Sequence, residues 1–361
     1  MSVKACVISS AYAGMAARFS LASGAARVRT NGSGATSPPM TGGNSSRWSQ
    51  KHDAKNCQLK KLRRETIPDL IMLTASAKPT TTPIPVQLSG SEFQQFILPH
   101  LSLPKRGPQC KLGYHRVFNL ILWVLYTGMQ WKCLPVRKDS DGKAEIHYTT
   151  VYKVFARWSD DGSLEQAFIA SVRHLADQNQ LDLRILHGDG PNTVAKKGGD
   201  GIGYSGHKPQ KGEKVIAIID NNGYVLAPLP IAPVNEADMV LLPEGLKALK
   251  RVARLTGLEL TGAYLNLDGG FDSRHNRKAI FNAGMIPNIK EKPRNRKTPK
   301  RGRKRWFNKA IHALRERVER TFAWEDKFKR LLLRFEHIQQ RHYGMKLMAY
   351  TLINVRRFCS A

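Results

Sequence analysis

Apolar residues in this chain follow two different periods, and the change comes near Leu181. Upstream, Val117, Leu120, Ile121, Val124 and Leu125 recur at helical spacing between Tyr114 and Tyr126. Val151, Val154, Phe155 and Trp158 repeat that spacing from Thr149 to Trp158, up to an Asp160-Asp161-Gly162 stop. Ser91 reads as the N-cap of a shorter helix through EFQQFILPH. Downstream the apolar runs are short and continuous, as buried strands require. LDLRILHGD is a strand ending in a polar loop, and KVIAIID and YVLAPLPI flank Asn221-Asn222-Gly223, a strong hairpin signal. Asn235 is placed to cap a helix through the low 250s that contains Pro243, and AYLNLD is a strand closed by Asp268. Ser273 to Ala283 reads as a helix and GMIPNI as a fifth strand. A last long helix is expected from Asn308, with Ile311, Leu314, Val318, Phe322, Phe328, Leu332 and Phe335 along one face. Helices first, then hairpin strands, helix, strand, helix, strand, helix restrict the fold to a mixed α/β sheet flanked by helices and preceded by a small all-α domain.

Three segments follow. Residues 1–75 are rich in Ser, Gly, Ala, Thr and Lys and offer little to bury, so a disordered N-terminal extension is expected, with Met72 as an alternative start. Residues 76–175 form the helical domain, which can accommodate a helix-turn-helix, and residues 176–361 form the sheet domain with a basic loop at 290–306. The five cysteines are scattered without a C-x-x-C pair, which points to reduced thiols in a cytoplasmic protein without structural zinc. No apolar run is long enough to span a bilayer. Lys and Arg number 58 against 28 Asp and Glu, a net charge of +30, so the expected partner is a polyanion, most simply nucleic acid.

Against that basic background, carboxylates at strand ends stand out. Asp189 and Asp268 each close a doubly apolar strand and precede small residues, Gly190 and Gly269-Gly270. Carboxyl ends of strands are where sites gather in α/β sheets, although an Asp after a strand also serves as a turn former or cap. Glu319 lies at the edge of an apolar stripe, one turn after Arg315. Alone, that pair reads as an ordinary solvated ion pair.

The stretches LHGDGPNT, AYLNLDGGFDSRHNR and LRERVERTFAWEDKFKRLLLRFE resemble the three acidic motifs of DDE transposases from bacterial insertion sequences. The likeness is to the insertion-sequence-five-like group within the broader insertion-sequence-four-like superfamily. NLILWVLYTGMQWKCLP and TTVYKVFARWSDDGSLEQ are similar to the helical region that precedes the catalytic domain there, so the likeness runs from about residue 90 to the end.

The resemblance implies a ribonuclease-H-like fold that cleaves DNA phosphodiester bonds and joins the freed 3′ hydroxyls to target DNA. It makes Asp189, Asp268 and Glu319 the metal ligands for two Mg²⁺ or Mn²⁺ ions, which assist such displacements when about 3.5–4 Å apart. It gives Arg315 a phosphate to bind or Glu319 to orient. The third motif departs at two places: His312 stands where the family has Tyr, and Asp326 where it has a basic residue, with Lys327 one position later. His207 and Lys208, in the loop after the first motif, and Arg301, Arg303, Lys304 and Arg305, in the basic tract, are expected to meet DNA phosphates together with His312 and Lys327. Lys153, Arg157 and Arg116 are the basic candidates, expected to be exposed, for reading the element's inverted repeats. The implied partners are double-stranded DNA, both element ends and target, and further copies of this chain on two ends, in a bacterial cytoplasm without membrane association. A decayed or domesticated transposase that only binds DNA is the alternative, and a metal-dependent nuclease that cuts without joining is a third reading.

Overall fold

The structure, a computed structural model, describes residues 82–359 except 107–109, 139, 207–208, 292–301 and 303–304. The N-terminal segment 1–75 lies outside the described residues, as do His207, Lys208, Arg301, Arg303 and Lys304.

The helical part opens with α1 (Gly90–Phe96), whose cap is Ser89 rather than Ser91. The Ser89 hydroxyl accepts from the Glu92 backbone N–H while the Glu92 carboxylate accepts from the Ser89 N–H at 2.7 Å, a reciprocal capping box that starts the helix two residues earlier than expected. Helices α2 (Tyr114–Thr127), α3 (Tyr148–Asp160) and α4 (Ser163–Asp177) follow. The Asp-Asp-Gly stop both ends α3 and starts α4: the Asp161 carboxylate accepts from the Ser163 N–H at 2.9 Å.

Strands β1 (Ile185–Asp189), β2 (Asn192–Val194), β3 (Gly203–Ser205), β4 (Gln210–Ile219) and β5 (Val225–Pro233) come next. Helix α5 (Asp238–Thr256), β6 (Tyr264–Leu267), α6 (Arg274–Asn282) and β7 (Ile286–Ile289) complete the sheet region. The turn between β4 and β5 is the expected one, with Gly223 at φ 89° and the Asp220 carboxylate accepting from the Asn222 and Tyr224 N–H groups. Helix α5 starts at Asp238, three residues beyond the expected Asn235 cap. Pro243 sits inside it without breaking it, because the Met239 carbonyl that Pro243 leaves without a donor receives Asn276 Nδ2 at 2.9 Å.

The main sheet has the order β5-β4-β1-β6-β7. β4 runs antiparallel to β1 and β5, while β1, β6 and β7 are mutually parallel. Three antiparallel strands followed by two parallel ones is the ribonuclease-H-like arrangement. The described residues belong to one compact unit, and apolar side chains of α2, α3, α4, the sheet and the last helix share one continuous core. Among the described residues no helix is long and apolar enough to cross a membrane.

The expected long helix from Asn308 is three separate pieces. α7 (Lys309–Ala313) stops at Leu314, α8 (Glu316–Glu325) ends by Asp326, and a 3-10 turn covers Lys329–Leu331. Beyond it the apolar spacing is coincidental: Leu332 and Phe335 are exposed, whereas Arg330 and Arg334 are buried. Arg330 pairs with Glu336 at 2.6 Å and Arg334 with Glu213 at 2.6 Å, so ion pairs, not an apolar stripe, fasten this strap, which also bridges Leu333 to Val194. The chain finishes in α9 (Gln339–Val355), buried along most of its length between α4 and β5.

Candidate active site

Two adjoining parallel strands bring the first two carboxylates together. β1 and β6 pair with Gly188 opposite Leu267, so Asp189 and Asp268, the next residue of each, emerge side by side. Gly188 permits this closeness, since a Cβ there would stand 2.5 Å from Leu267 Cδ2. Each carboxylate accepts the N–H of the glycine that follows it, Gly190 for Asp189 and Gly269 for Asp268.

The break between α7 and α8 supplies the third member. Arg315 caps α8 and extends its guanidinium to Asp189 Oδ2 at 2.7 Å and toward Asp268 Oδ1 at 4.0 Å. Burial raises the Asp189 carboxyl above the usual carboxylate range, the Arg315 charge opposes that rise, and Asp268 and Asp238 add to it.

Asp238 is the residue that sequence reasoning missed. It begins α5 and is held by Lys214 Nζ at 2.7 Å, and that ammonium also donates to the Glu236 carbonyl at 2.9 Å. Its Oδ1 lies 3.5 Å from where a Gly190 Cβ would be and its Oδ2 3.2 Å from a Gly270 Cβ, so it borders both carboxylate loops. The signal present in the sequence was the pair of glycines, which exclude any side chain from the space that Asp238 faces.

Glu319 stands one turn after Arg315 on α8 and is exposed. Among the described residues no group of three or more His, Cys, Asp and Glu is gathered closely enough to hold a metal ion. Asp189, Asp268 and Arg315 are therefore brought together, and Glu319 is not drawn in with them. The residues present nevertheless fit a divalent cation. Their donors are all hard carboxylate oxygens, and a guanidinium occupies the space between two carboxylates that require positive charge there.

The other expected contact residues divide. His312 is half-buried, with Nδ1 3.4 Å from Asn266 Oδ1, and burial followed by the Arg315 charge lowers its pKa. Lys327 is exposed just beyond α8. Arg305 is tied down, with Nη1 2.8 Å from the buried Asp272, which Arg277 also engages at 2.8 Å. In the helical part, Lys153 is exposed, Arg116 pairs with Glu145 at 2.8 Å, and Arg157 is half-buried, contrary to its expected exposure, because two of its guanidinium nitrogens are enclosed.

A sheet of this order, with carboxylates at the adjoining ends of β1 and β6, defines a ribonuclease-H-like fold and places the candidate site at those strand ends. The sequence matches the family model for transposases of the IS4/5 family over residues 91–168 and that for the transposase DDE domain over residues 182–352, together more than half of the chain. The chain belongs to the IS4/5-type DDE transposases. Among solved structures, the Mos1 transposase paired-end complex with left transposon end matches at 12% identity with a TM-score of 0.21, covering 52% of this chain. This chain spans 61% of that one, less than two thirds of its length. A search of curated proteins finds no match.

Proposed function

We propose that this chain is the transposase of an insertion sequence, cleaving phosphodiester bonds at the element's ends and joining the freed 3′ hydroxyls to target DNA. The observation that carries the proposal is the placement of Asp189 and Asp268 on adjoining strand ends with Arg315 between them. Asp189, Asp268 and Glu319 would hold the divalent cations, Mg²⁺ or Mn²⁺. Those ions supply charge neutralisation at the attacking and leaving oxygens of an in-line displacement. Arg315 keeps the two aspartates compatible as neighbours and presents a guanidinium that a phosphate oxygen can share. His207, Lys208, Arg301, Arg303, Lys304 and Lys327 supply backbone phosphate contacts, and Arg305 anchors the end of the basic tract through Asp272. Two element ends must be handled together, so a multimer on DNA is expected.

The test uses duplexes carrying the element ends with supercoiled target and Mg²⁺ or Mn²⁺. Strand transfer is the expected product. Asp189→Asn, Asp268→Asn and Glu319→Gln should each abolish it while DNA binding persists, and an Asp268→Asn protein that still cleaves sinks the assignment. One observation favours a second reading, DNA binding without chemistry: Glu319 is not gathered with the two aspartates. Binding without any cleavage would support that reading.

A further inference from the structure

A row of buried polar side chains crosses the sheet one residue pair beneath the carboxylates. His187, Asn266 and Asn288 are opposite one another on β1, β6 and β7, all fully buried, and share their sheet face with Asp189 and Asp268 two residues on. Backbone atoms dictate how each is oriented. The Asn308 N–H donates to Asn288 Oδ1 at 2.8 Å and the Asn308 carbonyl accepts from Asn288 Nδ2 at 3.1 Å, which sets the Asn288 amide one way round. The Ile311 carbonyl accepts from Asn266 Nδ2 at 3.0 Å and sets the second amide. Asn288 Nδ2 then donates to Asn266 Oδ1 at 3.0 Å, and Asn266 Nδ2 donates to His187 Nδ1 at 3.1 Å. His187 is thereby the tautomer with hydrogen on Nε2, which donates to Asn221 Oδ1 at 3.3 Å. Asn221 Nδ2 ends the chain on Asp182 Oδ2 at 2.8 Å. Donors and acceptors run in one direction from Asn308 to Asp182, so every group has its partner only in this arrangement.

We infer that His187, Asn266 and Asn288 are positioning residues: the row clamps the Asn308–His312 segment onto the sheet and so sets Arg315, and the α8 turn behind it, over Asp189 and Asp268. Apolar packing alone would not do this, because α7 has only five residues and a single buried apolar side chain, Ile311. The row instead holds it through the Asn308 N–H, the Asn308 and Ile311 carbonyls, and His312 Nδ1. This inference rests on the proposed function only for its effect on turnover.

The test replaces Asn288 by Leu, similar in volume but with no polar atom, and His187 by Phe or by Gln, the last keeping one donor and one acceptor. Amide hydrogen exchange over residues 308–316 and cleavage kinetics are read in the full chain. Asn288→Leu is expected to speed exchange in that segment about tenfold or more, with slower changes elsewhere, and to lower kcat about 10- to 100-fold at an unchanged KM. His187→Gln should retain more turnover than His187→Phe. Unchanged exchange over 308–316 in a folded Asn288→Leu chain overturns the inference, as does faster exchange with turnover intact. Equal turnover in the Gln and Phe variants also counts against it, and this comparison decides if Asn288→Leu does not fold. A wild-type chain that cleaves no DNA overturns the proposed function instead, and exchange alone then decides whether the row positions this segment.

Discussion

Gly188 controls how near the two strand-end carboxylates come, because β1 and β6 meet there with Leu267 directly against the missing Cβ. Gly188→Ala should destabilise the chain by about 1–3 kcal/mol through overpacking. Trimming the opposing side chain in Gly188→Ala/Leu267→Ala should return part of that loss, and urea midpoints check both. No recovery in the double variant would show that the strain lies elsewhere. Asp220 gives a second test at this scale. Its carboxyl is wholly buried in the β4–β5 turn, and burial pushes it up to about 7, against which three backbone N–H groups work. A carboxyl raised on folding binds its proton more tightly in the native state. Its contribution to stability is thus fully present below about pH 4 and is lost as pH rises through 7. The stability of wild type relative to Asp220→Asn should therefore decline between pH 5 and pH 8, and a flat difference would refute the raised value. Asp189 and Asp268 could be singled out in the sequence because each closes an apolar strand, whereas Arg315 entered only through the resemblance, since the α7–α8 break it caps lies inside what the spacing reads as one continuous helix. Asp238 could not be singled out, since its place beside Gly190 and Gly270 depends on how α5 packs across the strand ends.

At the scale of elements, the five longer strands and the helices with a clear apolar stripe could be read from period, but the three-residue β2 and β3, helix α4 and the segment after Asn308 could not. Its apolar residues keep helical spacing through Phe335, yet the chain leaves the helix at Asp326 and runs as a strap that buries Arg330, Arg334 and Glu336 beside Phe328 and Leu331 while leaving Leu332 and Phe335 exposed. Periodicity assumes that apolar residues point inward, and here pairing with Glu213 and Asp200 reverses the rule. Helix α9 was unreadable for the opposite reason, being buried along most of its length with no polar face to mark a period. The strap makes a sharp prediction. Arg334 and Glu213 are both fully buried at 2.6 Å, so Arg334→Met leaves the Glu213 carboxylate without a guanidinium, facing only His342 Nε2 at 3.1 Å, and should cost about 3–5 kcal/mol. Arg334→Met/Glu213→Leu removes both charges and should recover much of that loss, as denaturant unfolding of the single and double variants will show.

For the whole molecule, the +30 charge is not evenly spread. Residues 271–361 hold 25 Lys and Arg against 7 Asp and Glu, so more than half of the excess surrounds the second and third motifs. A polyanion meeting Asp189, Asp268 and Asp238 is repelled at the site itself and must be held by this surround. The basic tract does not act as one block, however. Arg305 gives Nη1 to the buried Asp272, so its removal should appear as lost stability, with Arg277 left as that carboxylate's guanidinium partner. Arg301, Arg303 and Lys304 are the residues expected to meet phosphate, and each contact removed should lower the slope of log K against log salt by about 0.9. Neutralising these three should reduce the slope by up to about 2.7 whatever the DNA sequence, with the unfolding midpoint unchanged. Arg305→Ala should do the reverse, lowering the midpoint and sparing most of the slope. Titrations of one duplex at several salt concentrations, paired with unfolding curves, separate the two roles. A slope unmoved by the triple variant would place the DNA path elsewhere on the molecule.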